Sequence, residues 1–382
     1  MGNGPTEHRT NRRRTRTRAG GAAVAAAAGV AGVATAVALA SPAHAQADWE
    51  QVHGSVEEGG SYTAVAATAA DEVWAFGSDG EDSDPETPRL QRWDGQDWQE
   101  ETAPDALTST PVAADADSDG QVWALAHSYD AGASAAHYDG EAWSGVEIDA
   151  DLEPTALAAT GEGNAWLLSG SAMGEPEAAY FDGEAWTPQS APSVSEGLGS
   201  DEAGEVFAVG SGGGGDLVVE RWDGSGWVPE DIPEVDIPGG EPGGSFNDVL
   251  VRSADDVWAA GHISWKDNDE LNHSLPVLAQ YDGTEWTVEV GEEEGAYEAI
   301  VDDGEGGLYL ADSHWNPVLE HRTADGESTR QEIVGEDHDI VFGELDSVPD
   351  GAGAVMAAGA VDQGDPEEPS GHGRIYGTGT WY

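Results

Sequence analysis

The sequence predicts an all-β fold, a seven-bladed β-propeller of four-stranded antiparallel blades. Three observations carry that expectation. An apolar run centred on an aromatic residue recurs at Trp74, Trp123, Trp166, Phe207, Trp258, Tyr309 and, as a methionine, Met356, at intervals of 41 to 51 residues. A second motif keeps step with it: RWDGQDW at Arg92 to Trp98, YDGEAW at Tyr138 to Trp143, FDGEAW at Phe181 to Trp186, WDGSGW at Trp222 to Trp227 and YDGTEW at Tyr281 to Trp286. Beyond Ala45 no stretch shows helical periodicity. Units of about 40–50 residues that each parse into four short strands are the mark of a propeller.

Each unit reads in the same order. A first strand, such as Ser61 to Ala67 or Phe246 to Val251, runs into a turn rich in Asp and Gly. The second strand is the aromatic run, for example Val73-Trp74-Ala75-Phe76-Gly77; apolar on both faces, it suits a strand buried between neighbouring sheets. After a variable loop comes a third strand, such as Arg89 to Trp93 or Val277 to Tyr281. Asp-Gly then turns the chain into a fourth strand beginning near Trp98 or Trp286, because both residues tolerate positive φ. Unit six departs most: His321-Arg322-Thr323-Ala324-Asp325-Gly326 keeps Asp-Gly and lacks the following Trp, so a ring of six stays open beside the ring of seven. Residues Asp48 to Val52 match a fourth strand standing alone before unit one, and Gly379 to Tyr382 fall where a last fourth strand would start. The N-terminal strand is therefore expected to complete or flank the final blade and hide its edge.

These motifs, D-D-V-W-A-x-G followed by x-Y-D-G-x-x-W, resemble those of bacterial secreted propellers common in actinobacteria, over Asp48 to Tyr382. The chain is more distantly similar to kelch and galactose-oxidase-type propellers, although the kelch double glycine is missing from the expected strand. The resemblance implies the fold and leaves the activity open, since such propellers differ widely in what they bind.

Charge narrows the partners. The chain has 14 basic and 75 acidic residues, and six arginines (Arg9, Arg12, Arg13, Arg14, Arg16, Arg18) fall within the first 18 positions. Beyond Ala45 eight basic residues face 74 acidic ones, a formal charge of −66, and Lys266 is the one lysine there. Such a surface repels nucleic acid and anionic lipid, which need clustered Lys and Arg. Fifteen Trp, nine Tyr and five Phe argue against a disordered polyanion and for a folded, salt-adapted protein whose carboxylates are screened by cations.

Residues 1–45 read as an export signal: the arginine-rich start, the Ala/Gly/Val run Ala19 to Ala40, and Ala43-His44-Ala45 as a small-x-small cleavage site. An uncleaved membrane anchor is the other reading, and Arg12-Arg13 leaves the twin-arginine route open beside general secretion. The chain has no cysteine, which removes disulfides and thiolate chemistry. The predicted protein is secreted, or retained at the cell envelope, and monomeric.

Function is expected on the face that carries the long, dissimilar loops: Gly77 to Pro88, Gly261 to Pro276, Gly359 to Gly373 and the inter-blade stretch Pro229 to Asn247. His127, His262 and His314 are placed at second-strand ends there, with His273 and His372 further along such loops. Converging histidines bind transition metals, but one histidine per blade is also what seven separated blades would show. Trp265, beside Lys266, and Trp315 fall outside the repeat, where an indole stacks on a sugar or a partner's side chain, or anchors its own loop. Asp115, Asp117 and Asp119, in DADSDG, match the first half of a calcium loop, although the ninth and twelfth positions are Trp123 and Ala126. The same stretch is equally the turn between first and second strands, as Asp302-Asp303-Gly304 is in another unit. Gly212 to Gly215 form a glycine loop with no helix behind it to hold a phosphate.

No nucleophile elbow, zinc-helix motif, Walker loop or dinucleotide fingerprint appears. The function expected is non-catalytic binding of an extracellular protein or carbohydrate with no required cofactor. The alternative is a secreted propeller hydrolase or lyase assisted by calcium.

Overall fold

The computed structural model describes residues 49–54, 61–78, 87–128, 130, 132–149, 151–170, 175–237, 239–267, 271–312, 317–333, 339–349, 354–362 and 373–378. The export segment, His314, Trp315, His372 and residues 379–382 lie outside them. Strand β1 (Glu50–Gly54) precedes blade one, which is β2 (Ser61–Ala69), β3 (Glu72–Ser78), β4 (Pro88–Trp93) and β5 (Trp98–Glu101). Blade two is β6 (Pro111–Ala116), β7 (Val122–Ser128), β8 (Gly132–Tyr138) and β9 (Trp143–Val146). Blade three is β10 (Pro154–Gly161), β11 (Asn164–Ser169), β12 (Glu177–Phe181) and β13 (Trp186–Gln189). Blade four is β14 (Gly197–Ser200), β15 (Val206–Ser211), β16 (Leu217–Trp222) and β17 (Trp227–Pro229). Blade five is β18 (Gly240–Ser253), β19 (Asp256–Lys266), β20 (Asn272–Tyr281) and β21 (Trp286–Val290). Blade six is β22 (Tyr297–Asp302), β23 (Leu308–Asp312), β24 (Val318–Arg322) and β25 (Ser328–Glu332). Blade seven takes β26 (Asp339–Ser347), β27 (Val355–Asp362) and β28 (Gly373–Gly377) from the C-terminal part and β1 from the N-terminal part.

All seven sheets are antiparallel meanders, and their first strands touch in succession around the ring, with β26 meeting β2. The ring therefore has seven blades, and unit six forms a full one. It closes through β1, whose Glu50 lies opposite Gly377 and whose Gly54 lies opposite Arg374. Trp49, one residue before β1, takes the place that Trp98 holds in blade one and packs edge-on against Tyr309 of blade six at 5.4 Å. Closure by a strand from the far end of the chain supplies the fourth, outermost strand of the last blade and pairs the edge of β28.

The two motifs meet at the seams between blades. Each second strand turns alternate side chains to its two neighbours, so Trp74 and Phe76 join the core shared with blade two while Val73 and Ala75 join the core shared with blade seven. Seven apolar clusters result, one per seam. Within them the aromatic of one blade sits against the aromatic pair flanking Asp-Gly in the next. Trp74 lies 4.9 Å from Tyr138 and 5.2 Å from Trp143; Trp123 lies 4.7 Å from Phe181 and 5.3 Å from Trp186; Trp166 lies 4.9 Å from Trp222 and 5.8 Å from Trp227. Tilted and edge-on contacts such as these add to the area buried.

The Asp-Gly pair itself is a hairpin turn. Asp94 Oδ1 accepts the amides of Gln96 and Asp97, both at 2.9 Å, and Gly95 sits at φ 87°. Asp139, Asp182, Asp223 and Asp282 repeat this geometry, and accepted hydrogen bonds hold each carboxyl below the usual range, from amides and, first for Asp223, from the Ser225 hydroxyl.

Blade six lacks the Trp, and its seam with blade five adds polar contacts to an apolar cluster that includes Leu278, Ile300 and Leu310. Arg252 reaches from β18 to the Asp302 carboxylate and the Gly307 carbonyl of blade six, and the Trp258 indole N–H donates to Asp256 at 2.8 Å.

Candidate functional site

The turns between first and second strands share one rim with the Asp-Gly turns. Connections between second and third strands, and between blades, lie on the opposite rim, where the sequence places the variable loops. Blade five dominates that rim. Its first three strands have 14, 11 and 10 residues, against 4, 6 and 6 in blade four. Much of what the sequence marks as loop, Gly240 to Ser245 and His262 to Lys266, is a continued hairpin, with Gly240 opposite Lys266 and Trp265 opposite His273. The Gly-Pro-rich start of β18 reads as loop because glycine weakens strands, yet here glycine is needed for close approach. A Cβ on Gly215 of blade four would lie 2.5 Å from the Gly243 Cα, and one on Gly244 would lie 3.1 Å from Leu217.

Between this hairpin and blade four runs an extended strap, residues 231–237, with sequence D-I-P-E-V-D-I. Ile232, Val235 and Ile237 are half-buried and pack with Leu217 onto the core shared by blades four and five, while Asp231, Pro233, Glu234 and Asp236 are exposed. Among the described residues none forms a hydrogen bond with the strap backbone; the preceding Glu230 amide, bonded to the Val219 carbonyl at 2.9 Å, is the last one paired. The strap, the Gly214–Leu217 segment and Pro242 enclose a cleft of about 730 Å³. Its floor is apolar (Leu217, Ile232, Val235, Ile237), its rim carries Asp216, Glu234 and Asp236, and among the described residues no basic side chain lines it. Gly214, in its lining, and the adjacent Gly213 leave open space, since a Cβ on either meets no atom within 4 Å.

Trp265 stands at the end of the strap, against Gly239, where a Cβ would come within 2.4 Å of the indole. Its ring stacks on His273 at 5.3 Å and 20°. His273 is clamped from both sides, Nδ1 to Glu294 at 2.5 Å and Nε2 to Asp267 at 3.2 Å. Those two carboxylates, Glu294 first, raise its pKa above the ordinary histidine value. The indole thus anchors the tip of blade five and remains only partly buried.

Of the residues singled out in the sequence, Trp265, Lys266 and His262 share the blade-five hairpin, with Lys266 at its end and His262 within 3.4 Å of the Asn247 side-chain amide. His127 lies at the end of β7 on blade two, so the described histidines of this set are not brought together. Asp115, Asp117 and Asp119 do not converge either. Asp117 accepts the amides of Asp119 (3.0 Å), Gln121 (2.9 Å) and Gly163 (3.2 Å), and Asp119 accepts the Glu162 amide at 3.2 Å. Both stitch blade two to blade three on the Asp-Gly rim. Among the described residues no group of three or more His, Asp or Glu side chains is arranged to hold a metal ion.

Asp115 belongs to a set that sequence reasoning missed. It accepts the Ala159 amide of blade three at 2.8 Å. Asp248 accepts the Ile300 amide of blade six at 2.9 Å, and across the closing seam Glu344 and Asp346 accept the Val65 and Ala67 amides of blade one at 3.2 and 2.7 Å. Each carboxylate lies on a first strand beside the ring axis and caps an amide on the next blade's first strand. Burial raises all four pKa values, Asp115 to about 7 and Asp248 to about 6, with mutual repulsion across the axis adding to the effect for Asp115, Glu344 and Asp346. Register would have revealed them. Asp115 and Asp346 lie opposite the repeat residues Trp123 and Met356, and Asp248 and Glu344 lie opposite the residue two places further on.

No protein-family model and no curated protein matches the chain. Solved structures do. YCF48 bound to D1 peptide is 16% identical, matching 90% of this chain and 100% of its own with a TM-score of 0.53. The WD40 β-propeller domain of Doa1 is 11% identical over 86% of this chain and 97% of its own, with a TM-score of 0.51. At such identities the likeness shows a shared β-propeller fold.

Proposed function

We propose that this protein is an exported, salt-adapted, non-catalytic β-propeller that binds an extracellular partner, a protein or a polysaccharide, through its loop-rich face. The observation that carries the reading is the cleft of about 730 Å³ between blades four and five, with half-buried aliphatic side chains and acidic groups in its lining and Trp265 beyond it, against Gly239. A hollow that joins half-buried aliphatic side chains to placed polar groups on a rigid scaffold suits a binding site. YCF48, a propeller of similar fold, is described bound to a peptide, which agrees with a binding role.

The test is a peptide array and a glycan array probed with the secreted protein, followed by calorimetry on the hits. The expected result is reversible, stoichiometric binding that weakens in Trp265→Ala and leaves the ligand chemically intact. Turnover of the ligand would overturn the non-catalytic reading. N-terminal sequencing of the secreted protein tests export, with Gln46 expected as the first residue. Melting in low and molar KCl tests salt adaptation; a melting temperature indifferent to salt would contradict it.

A further inference from the structure

The strap combines three properties that point to one kind of ligand. It is extended, its backbone N–H and C=O groups are unpaired among the described residues, and it forms a wall of the cleft. An unpaired extended segment beside an open groove is a template for strand addition, in which main-chain hydrogen bonds hold a peptide and alternate side chains fill pockets. We propose that the cleft binds an extended, cationic polypeptide segment that pairs with residues 234–237 as an added strand.

The chemistry of the walls selects that occupant. Glu234, Val235, Asp236 and Ile237 each have an N–H, whereas Pro233 has none and ends the pairing edge. Over these positions side chains alternate between acid and half-buried aliphatic. A paired strand of matching period would set Lys or Arg beside Glu234 and Asp236 and aliphatic side chains over Val235 and Ile237. Asp216 faces the same space from blade four, and among the described residues no basic one lines it to repel such a peptide. A polysaccharide lacks the regularly spaced main-chain N–H and C=O groups that would pair with the strap and carries no aliphatic side chains for the floor. The proposal rests on the loop-rich face being the binding surface and adds the partner's class.

The experiment is fluorescence anisotropy on the full secreted chain in molar KCl, where a screening length of about 3 Å removes diffuse attraction to so acidic a protein. The probe is a fluorescein-labelled octapeptide of alternating valine and lysine. Its partners in the series carry glutamate for lysine, or N-methylation along one edge or the other. We expect saturable binding of the lysine peptide and at least ten-fold weaker binding of the glutamate peptide. N-methylation should cost ten-fold on one edge and under two-fold on the other. The double variant Glu234→Lys with Asp236→Lys, and separately Gly213→Trp beside the cleft lining, should each weaken binding ten-fold with the melting temperature unchanged. Equal effects of N-methylation on both edges, or binding untouched by these variants, would overturn strand pairing in the cleft. Glycan binding abolished by the same variants, with no peptide bound, would overturn the peptide assignment and keep the loop-rich face as the binding surface. Absence of any ligand that Trp265→Ala or the cleft variants weaken would overturn both.

Discussion

Replacing Asp115 with asparagine should flatten the dependence of stability on pH. Asp115 is half-buried beside the ring axis, and its pKa rises from 3.8 to about 7, chiefly through burial and then through Asp248 and Asp117. A carboxyl whose folded pKa is raised binds its proton more tightly in the folded state. Its contribution is complete below the unfolded value of 3.8 and is lost as pH climbs through about 7. At about 1.4 kcal/mol per pH unit the loss is at most about 4 kcal/mol. Water beside the axis screens the charge, so we take about half, ~2 kcal/mol. Glu344, Asp346 and Asp248 move in the same direction, so the wild type should be more stable near pH 5 than at pH 8. Asparagine cannot accept on both sides, and one of the Ala116 and Ala159 amides loses its partner, a pH-independent cost of about 1–3 kcal/mol. The diagnostic is therefore the slope. In urea unfolding at pH 4, 5, 6, 7 and 8, the difference between variant and wild type should shift by ~2 kcal/mol in the variant's favour across the series. Glu184→Gln, an exposed control, should shift far less. A wild-type stability that does not fall from pH 5 to pH 8, or a slope unchanged in Asp115→Asn, would refute the reasoning.

Other perturbations probe the seams and the tip of blade five. Trp123→Ala removes a fully buried indole from its contacts with Phe181 and Trp186 and should cost about 3–5 kcal/mol in denaturant unfolding; a loss below about 1 kcal/mol would mean that the seam aromatics are not structural. Gly95→Ala should destabilise more than Gly224→Ala. Both have positive φ, worth about 1–2 kcal/mol for an L-residue, but a Cβ on Gly95 also meets Asp71 at 2.8 Å whereas one on Gly224 meets nothing. His273 should titrate above 6.5 by NMR, and Glu294→Gln should lower its midpoint. Its contribution to stability is present below 6.5 and fades as pH rises through the raised value. A midpoint at or below 6.5 would show that the two carboxylates do not hold it.

The architecture was legible because a propeller repeats its instructions. The turn Asp94-Gly95 and the aromatics Trp74, Trp93 and Trp98 recur with one period, and each has one physical role, to reverse the chain or fill a seam. Even the closing strand could be read, since Trp49 stands where a fourth-strand Trp belongs. Unit six forms a blade without its Trp because Arg252, Asp302 and the Gly307 carbonyl help hold the seam instead, a substitution that residue patterns do not announce. The candidate site was legible only as a region. The stretch Pro229 to Asn247 stands out by length, yet the strap's unpaired backbone and the cleft beside it depend on how blade four's glycines meet β18. The acids at Asp115, Asp248, Glu344 and Asp346 were hidden among the 74 acidic residues beyond Ala45, because what distinguishes them is their position beside the axis.

Hydrogen–deuterium exchange across the whole described chain, with and without a peptide that the protein binds, tests the functional account most directly. The account predicts fast exchange of the Glu234 to Ile237 amides in the free protein and protection of these amides, together with those near Gly213 to Leu217, in the complex. Protection confined to the Asp-Gly rim, with the strap exchanging as fast as before, would contradict it.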